Sequence, residues 1–187
     1  MPGAHLTTAE LEAGLDDIRQ SPKDKGALEL IVCRPQTGER KILREGTLDL
    51  AKGLLGDDWH SRGSAKTADG SANPETQITI MNSRCIALLA GHRDHWALAG
   101  DQLYVDLDLS LENLPPGTRL AIGSAIIEIT PPPHTGCKKF LSRFGLDAMQ
   151  FVNSPIGRHL NLRGVNSRIR QPGSVKIGDY AVKVCGL

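Results

Sequence analysis

The chain has 187 residues, with 22 Lys or Arg, 21 Asp or Glu and a formal net charge of +1. This length predicts one domain with its own core, and the balanced charge gives no overall field toward nucleic acid or membrane. Aromatic residues make up 4% of the chain, which argues against a stacking surface for single-stranded nucleic acid. We therefore expect neither nucleic acid nor a membrane as a partner.

The four cysteines, at positions 33, 85, 137 and 185, form no CxxC pair. Their spacing fits neither a zinc site nor a compact disulfide scaffold. The N-terminus lacks the apolar core of a secretory leader, and no apolar run is long enough to span a bilayer. These features predict a cytoplasmic protein with reduced thiols.

Residues 1–26 are predicted to form a helical appendage and a linker, ahead of a domain that covers residues 27–187. Thr7 and Glu10 have the spacing of a capping box. Leu11, Leu15 and Ile18 then share one helical face.

The rest of the chain is predicted to be mainly β with a few helices. Leu103, Val105, Leu107 and Leu109 alternate with polar residues and with Tyr104. Prolines are expected to stop the strand that begins near residue 124. Strands are predicted in segments 27–33, 39–45, 76–82, 103–110, 117–123, 124–130 and 162–184. Helices are predicted over 83–96, with Ser83 as the cap, and over 138–153, with an interruption near Gly145. Segment 61–76 is predicted to be a loop. Many short strands with turns between them favour a closed or half-closed barrel.

Charge is distributed unevenly along the chain. Eight Lys or Arg accompany one acidic residue between Lys138 and Lys176. An anionic ligand would therefore find its partners in the last third of the chain, and the alternative is a solvated basic face. The candidates for binding a phosphate or another anion are Arg158, His159, Arg163, Arg168 and Arg170.

The segment PPPHTGCKKF, residues 131–140, places Cys137 after a proline-set approach and before Lys138 and Lys139. A helix predicted to begin just after Cys137, together with the two lysines, would favour its thiolate. A thiolate can attack, carry sulfur as a persulfide or bind a soft metal. The alternative is a buried structural cysteine, as the sequence indicates for the other three.

Two further clusters contain titratable residues. Asp57, Asp58 and His60 follow a glycine-rich turn, where a carboxylate can orient a histidine. His92 and His95 are spaced like two metal ligands, but no third ligand is obvious nearby.

Taken in order, these motifs resemble the MOSC domain family. The matching segments are GLLGDDWH (53–60), TQITIMN (76–82), LAGDQLYVDLDLS (98–110), HTGCKKF (134–140) and LRGVNSRIRQPGSVKIGD (162–179). MOSC domains are the C-terminal domains of molybdenum cofactor sulfurases and also occur as small standalone bacterial proteins. The resemblance covers about residues 27–184.

The resemblance implies a MOSC-like β-barrel whose characteristic cysteine is Cys137. That residue would be the catalytic persulfide carrier or the thiolate ligand of molybdenum in the molybdenum cofactor, molybdopterin. The residues implied to bind this phosphate-ending pterin are Asp57, His60, Asp101, Gln102, His134, Lys138, Arg163 and Arg168. Many relatives have Gly-Glu-Asn-Leu where this chain has GDQL, residues 100–103, which changes the reach of two side chains.

The chain lacks the aminotransferase-like domain of full sulfurases, so a separate sulfur donor such as a cysteine desulfurase is expected. Some relatives reduce N-hydroxylated compounds; because no flavin, haem or iron–sulfur motif is present, that role would need an external electron donor. Two other functions stay open. One is a non-catalytic barrel that binds an anionic small molecule, and the other is a metal-dependent hydrolase using His60, His92 and His95.

Overall fold

The computed structural model describes residues 5–184. The strands are β1 Lys25–Cys33, β2 Lys41–Leu43, β3 Glu45–Asp49, β4 Gly53–Leu54, β5 Ile78–Asn82, β6 Leu103–Val105, β7 Arg119–Ile122, β8 Ala125–Pro133, β9 Val165–Gln171, β10 Gly173–Lys176 and β11 Tyr180–Val184. The α-helices are α1 Thr8–Ala13, α2 Leu15–Arg19, α3 Trp59–Arg62, α4 Ser83–Ala90, α5 Lys138–Asn153 and α6 Pro155–His159, and 3-10 helices cover Pro74–Thr76 and Arg93–Ala99.

Seven of the strands close into a barrel in the order β1, β6, β5, β9, β8, β7, β11. The barrel closes where β11 returns to pair with β1, with Lys25 opposite Val182. Only the β5–β6 pair is parallel within this described barrel. The predicted fold class, mainly β with a few helices around a barrel, is thereby confirmed.

The remaining strands extend the barrel near one end of β1. β2 pairs with the end of β1, from Ile31 opposite Leu43 to Cys33 opposite Lys41, as the sequence predicted for segment 39–45. β3, β4 and β10 form a separate three-stranded sheet. The segments that follow β1 and β4 meet at this end, where the Asp58 amide donates to the Arg34 carbonyl over 2.8 Å.

Apolar side chains fill two cores, one inside the barrel and one between the barrel and the helices. Leu103, Val105, Leu107 and Leu109 all lie in the inner core, so their predicted common face is confirmed, although regular pairing ends at Val105. Tyr104 lies on the opposite face of the strand, as the alternation predicts. Its ring is fully buried in the outer core, and its hydroxyl donates to the Trp96 carbonyl over 2.9 Å.

The N-terminal helices contribute to the outer core. The predicted capping box is confirmed, because Thr7 caps α1 and exchanges hydrogen bonds with Glu10. Leu11, Leu15 and Ile18 are buried beside residues of α4 and α5. The division at residue 26 stays a prediction; β1 begins at Lys25.

Two predicted elements differ from the structure at their ends. The helix predicted over 83–96 ends at Ala90, since Gly91 adopts a positive φ of 64°, and Asn82 caps it in place of Ser83. Strand β8 continues through the prolines to Pro133, opposite Val165, with a break in register after Ile129. Prolines donate no ladder hydrogen bond, so they interrupt the pairing without ending the strand.

Three further local predictions are confirmed. Helix α5 is interrupted at Gly145, whose φ is 87°. Segment 61–76 has regular structure only at its two ends. Cys33 and Cys85 are buried, whereas Cys185 lies outside the described residues. Within residues 5–184, no helix combines the length and the apolar character needed to cross a membrane.

Candidate functional site

Cys137 is exposed at the first turn of helix α5. It is the N-cap residue, its backbone is extended, and its side chain makes no capping hydrogen bond. The preceding turn is fixed by Asn153, whose side chain accepts from the Gly136 amide at 2.9 Å and donates to the Gly136 carbonyl at 3.3 Å. The thiol is therefore presented on a rigid backbone and stays free to react or to bind.

Beside Cys137 lies a cleft of about 180 Å³ with a strongly basic lining. It receives one acidic side chain, Asp58, and six basic ones: Arg34, Arg40, Arg62, Lys139, Arg143 and Arg163. The residues come from the segments after β1 and β4, from the start of α5 and from the turn before β9. The cleft can therefore attract an anion from several directions.

Arg34 is held in place by a buried carboxylate. Its Nε and Nη2 donate to the two oxygens of Asp57, each over 2.8 Å, and its Nη1 donates to the Gly100 carbonyl over 2.9 Å. Burial by itself would raise the pKa of Asp57, but the hydrogen bonds and charge of Arg34 outweigh it, so the pKa is lowered. Asp57 thus positions a cleft arginine from behind and keeps its own charge.

Arg163 is anchored in a similar way. Its Nη1 donates to Asp101 Oδ2 over 2.6 Å, its Nη2 donates to the Ala99 carbonyl over 3.0 Å, and its guanidinium lies over the Phe140 ring. Asp101 is fully buried. The Arg-Gly element singled out in the sequence therefore supplies a fixed cation at the cleft wall.

His134 completes this wall with a neutral imidazole. Burial and the nearby charge of Arg163 lower its pKa to about 3. Its Nδ1 lies 3.3 Å from Asp101 Oδ1, but the two atoms are not aligned for a hydrogen bond. Each is a buried polar atom without a partner in the described part of the chain, which is costly unless a ligand or water satisfies it.

Arg40 and Arg143 converge on one spot at Gly100. A Cβ at Gly100 would lie 3.3 Å from Arg40 Nη2 and 3.8 Å from Arg143 Nη1. Burial lowers the pKa of Arg40, and the charges of Arg143 and Arg34 lower it further. Within residues 5–184, neither of these two arginines nor Lys139 has a carboxylate partner, whereas Arg34, Arg62 and Arg163 each have one.

The structure brings together part of the site expected from the sequence. Cys137, His134 and Arg163 line the cleft, and Asp57 and Asp101 lie directly behind it, paired with its arginines. Gln102 is fully buried and has a structural role, because its Oε1 accepts the Thr79 amide over 2.8 Å. The side-chain amide of Gln102 is therefore engaged in hydrogen bonding within the sheet, and Gln102 is not part of the cleft lining.

His60, Lys138 and Arg168 do not line the cleft. His60 is exposed on α3, and Lys138 is exposed beside Cys137, with Lys139 turned to the cleft in its place. Arg168 lies on β9, where it pairs with Glu128 over 2.7 Å. Arg170 and Arg119 pair with the same carboxylate. The charges of these three arginines are therefore engaged by Glu128 within the barrel wall.

His92 and His95, which are spaced like two metal ligands, have no third ligand beside them in residues 5–184. His92 and His95 are near each other, with ring centroids 6.1 Å apart, and both are exposed. Between residues 5 and 184, no group of three His, Cys, Asp or Glu side chains is placed to hold a metal ion. The three histidines named for a hydrolase therefore do not converge.

Several cleft residues were not named as anion-binding candidates from the sequence, although Lys139 was noted beside Cys137. Lys139 and Arg143 are four positions apart and so share a face of the helix predicted after Cys137, which is a readable signal. Arg34 and Arg40 follow β1, about a hundred residues before Cys137. Their contribution depends on closure of the barrel, which local sequence does not reveal.

Comparison with known proteins shows the fold. No protein-family model and no curated protein matches the chain significantly. The YuaD protein of Bacillus subtilis is 18% identical over 87% of this chain and 97% of its own, with a TM-score of 0.57. YiiM of Escherichia coli is 18% identical over 86% and 71% of the two chains, with a TM-score of 0.55. YiiM of Geobacillus stearothermophilus is 14% identical over 86% and 75%, with a TM-score of 0.57.

YuaD and YiiM are MOSC-domain proteins. At these identities the likeness concerns the fold, which in this chain is a MOSC-like barrel. The fold alone does not define the function of the barrel.

Proposed function

We propose that the chain binds the molybdenum cofactor or carries sulfur for it, with Cys137 as thiolate ligand of molybdenum or as persulfide carrier. The observation that carries this proposal is the position of Cys137: an exposed thiol shares one cleft with Arg40, Arg143 and Lys139, which lack carboxylate partners in the described chain. A soft sulfur ligand and an anion site are thereby combined.

The donor set suits the cofactor. Arg40, Arg143 and Lys139 would hold the terminal phosphate, since guanidinium groups bind phosphate oxygens in pairs. His134 lines the same cleft and Asp101 lies directly behind it, paired with Arg163, so this wall would stand beside a pterin ring bound there. When bound, the cofactor supplies redox and atom-transfer chemistry, and the chain supplies orientation and charge.

As a sulfur carrier, Cys137 would act with a separate cysteine desulfurase. Its thiolate would attack the terminal sulfur of the donor's persulfide, one S–S bond would form as another breaks, and the donor would leave as a thiolate. This exchange needs no external oxidant. In a redox role, the partner would instead be a separate electron donor.

The test is the molybdenum and pterin content of protein made in a host that synthesises the cofactor. We expect near-stoichiometric molybdenum, or cyanide-releasable sulfur, in wild type and a loss of about tenfold or more in Cys137→Ser. Ser142→Ala, on an exposed part of the same helix, is the matched control and should equal wild type. Equal molybdenum and equal releasable sulfur in wild type and Cys137→Ser would refute the proposal.

A second function is favoured by Arg40, Arg143 and Lys139 alone, which have no carboxylate partner within residues 5–184. These residues would suit a non-catalytic module that binds an anionic small molecule without using the thiol. In that case Arg143→Gln would weaken binding of inorganic phosphate, Cys137→Ser would leave it unchanged, and no molybdenum would be found.

A further inference from the structure

A second cavity, of about 200 Å³, lies on the other side of His134. This histidine lines both the basic cleft and the second cavity. Most of the second lining is apolar and includes Leu111, Leu114, Ile129, Val152, Val165 and the prolines of β8. The two cavities thus share a wall but differ in chemistry.

The proline wall offers little for a polar ligand to bind. Pro131, Pro132 and Pro133 have no backbone N–H, so this side donates no hydrogen bond. The Pro132 carbonyl already accepts the side chain of Asn166 over 2.9 Å. A flat apolar group that packs against proline rings is therefore the best-matched occupant of this wall.

The volume limits the occupant to about one ring. A cavity of roughly 150 Å³ with an apolar lining binds benzene in another protein. The second cavity, at about 200 Å³, has room for one aromatic ring and a small substituent on that ring. Leu111, at the edge of the lining, is 48% exposed, so an apolar surface is already present where a ligand would enter.

The lining contains one charged side chain, Arg158, and its positive charge favours a negatively charged substituent on the ring. Arg158 lies on α6 and donates its Nε to the Asn153 carbonyl over 2.9 Å. In residues 5–184 no carboxylate pairs with it, and the side chain is exposed. A guanidinium held by its Nε, with its other N–H groups available, is suited to a carboxylate.

We propose that this cavity, here called the proline pocket, binds a small aromatic carboxylate of about the size of benzoate. The ring packs against Pro131–Pro133 and the carboxylate meets Arg158, across His134 from Cys137. This site does not depend on the cofactor proposed for the basic cleft.

The test is titration of the full chain with benzoate, followed by amide NMR shifts. We expect saturable binding with shifts near Leu111 and Val165, weaker binding of benzylamine at this site, and no acetate-induced shifts near Leu111 and Val165. Arg158→Gln should weaken benzoate about tenfold, the effect of losing a charged hydrogen bond, and should leave benzyl alcohol unchanged. Leu111→Ser, a second exposed variant, should weaken both aromatic probes.

Arg143→Gln is the matched control, because Arg143 lies in the basic cleft. It should leave benzoate binding unchanged. If Arg143→Gln weakens benzoate as much as Arg158→Gln does, benzoate binds as a simple anion in the basic cleft and the proposal fails. Equal binding of benzoate and benzylamine would also overturn it. Cys137→Ser should retain benzoate binding, so failure of the molybdenum proposal would be seen separately.

Discussion

The described cysteines differ in what their surroundings allow. Burial raises the pKa of Cys85 to about 12 and also raises the pKa of Cys33. Neither is therefore a nucleophile at neutral pH, and Cys85 donates its thiol to the Leu162 carbonyl over 3.2 Å. Cys137 is the exposed cysteine of the three. Its exposure and rigid backbone make it the residue on which sulfur chemistry can depend.

His134 makes the stability of the protein depend on pH in a defined window. Its folded pKa is lowered to about 3, whereas an unfolded histidine takes up a proton near pH 6.5. Below pH 6.5 the unfolded chain therefore binds more protons than the folded chain, and stability falls until about pH 3. We predict that His134→Asn reduces the loss of stability between pH 6.5 and 5, above the range in which most carboxylates titrate.

The measurement is urea unfolding at several pH values between 5 and 7. His60→Asn is the control, because His60 is exposed and lies outside the cleft. Its pH dependence should match wild type. Identical pH dependence in wild type and His134→Asn would show that His134 is not held neutral.

Among the elements, strands β7, β8 and β9 are joined by one carboxylate. Glu128 on β8 accepts hydrogen bonds from Arg170, Arg168 and Arg119, and these lower its pKa to about 2 despite burial. The stability that this cluster contributes is present above the ordinary pKa of about 4.5 and is lost as pH falls toward 2. The three strands are thereby tied across the barrel wall.

We predict that Glu128→Gln lowers the free energy of unfolding by about 2 kcal/mol, because three arginines would be left close together without a counter-charge. Urea denaturation at pH 7 measures the change. Glu112→Gln is the control, since Glu112 is exposed and its contact is a 3.6 Å pair with His159. A stability of Glu128→Gln equal to that of the control would contradict this account of the strands.

At the scale of elements, the sequence predicted the presence and type of helices and strands better than the residues at which they begin and end. The strands at 27–33, 76–82 and 117–123 follow from apolar patterns and turns, and the structure contains them. The prolines of β8 misled the prediction, because a strand at the edge of regular pairing can continue without their N–H groups. The burial of Tyr104 could not be predicted, because the helices cover the outer face of the barrel there and alternation does not show what packs on that face.

At the scale of the whole molecule, closure of the barrel creates the cleft. The barrel class could be predicted from the number of short strands, but not the β1–β11 pairing that closes it. Charge counting along the chain assigned the anion site to the last third. In the structure, half of the basic residues of the cleft, Arg34, Arg40 and Arg62, come from the first third instead, because closure brings distant segments together. Conversely, Arg168 and Arg170, which the charge count had included, form ion pairs with Glu128 and do not line the cleft.

The proposed function requires that the thiol and the three cations without a carboxylate partner in residues 5–184, namely Arg40, Arg143 and Lys139, serve the same cleft. The decisive measurement is the rate of Cys137 alkylation by iodoacetamide at neutral pH as inorganic phosphate is added, read as the difference between wild type and Cys137→Ser. We predict that phosphate slows the reaction to a plateau in wild type. In Arg40→Gln/Arg143→Gln, the same protection should need about tenfold more phosphate, and Lys66→Gln should behave as wild type. An alkylation rate independent of phosphate would mean that anion and thiol do not share a site.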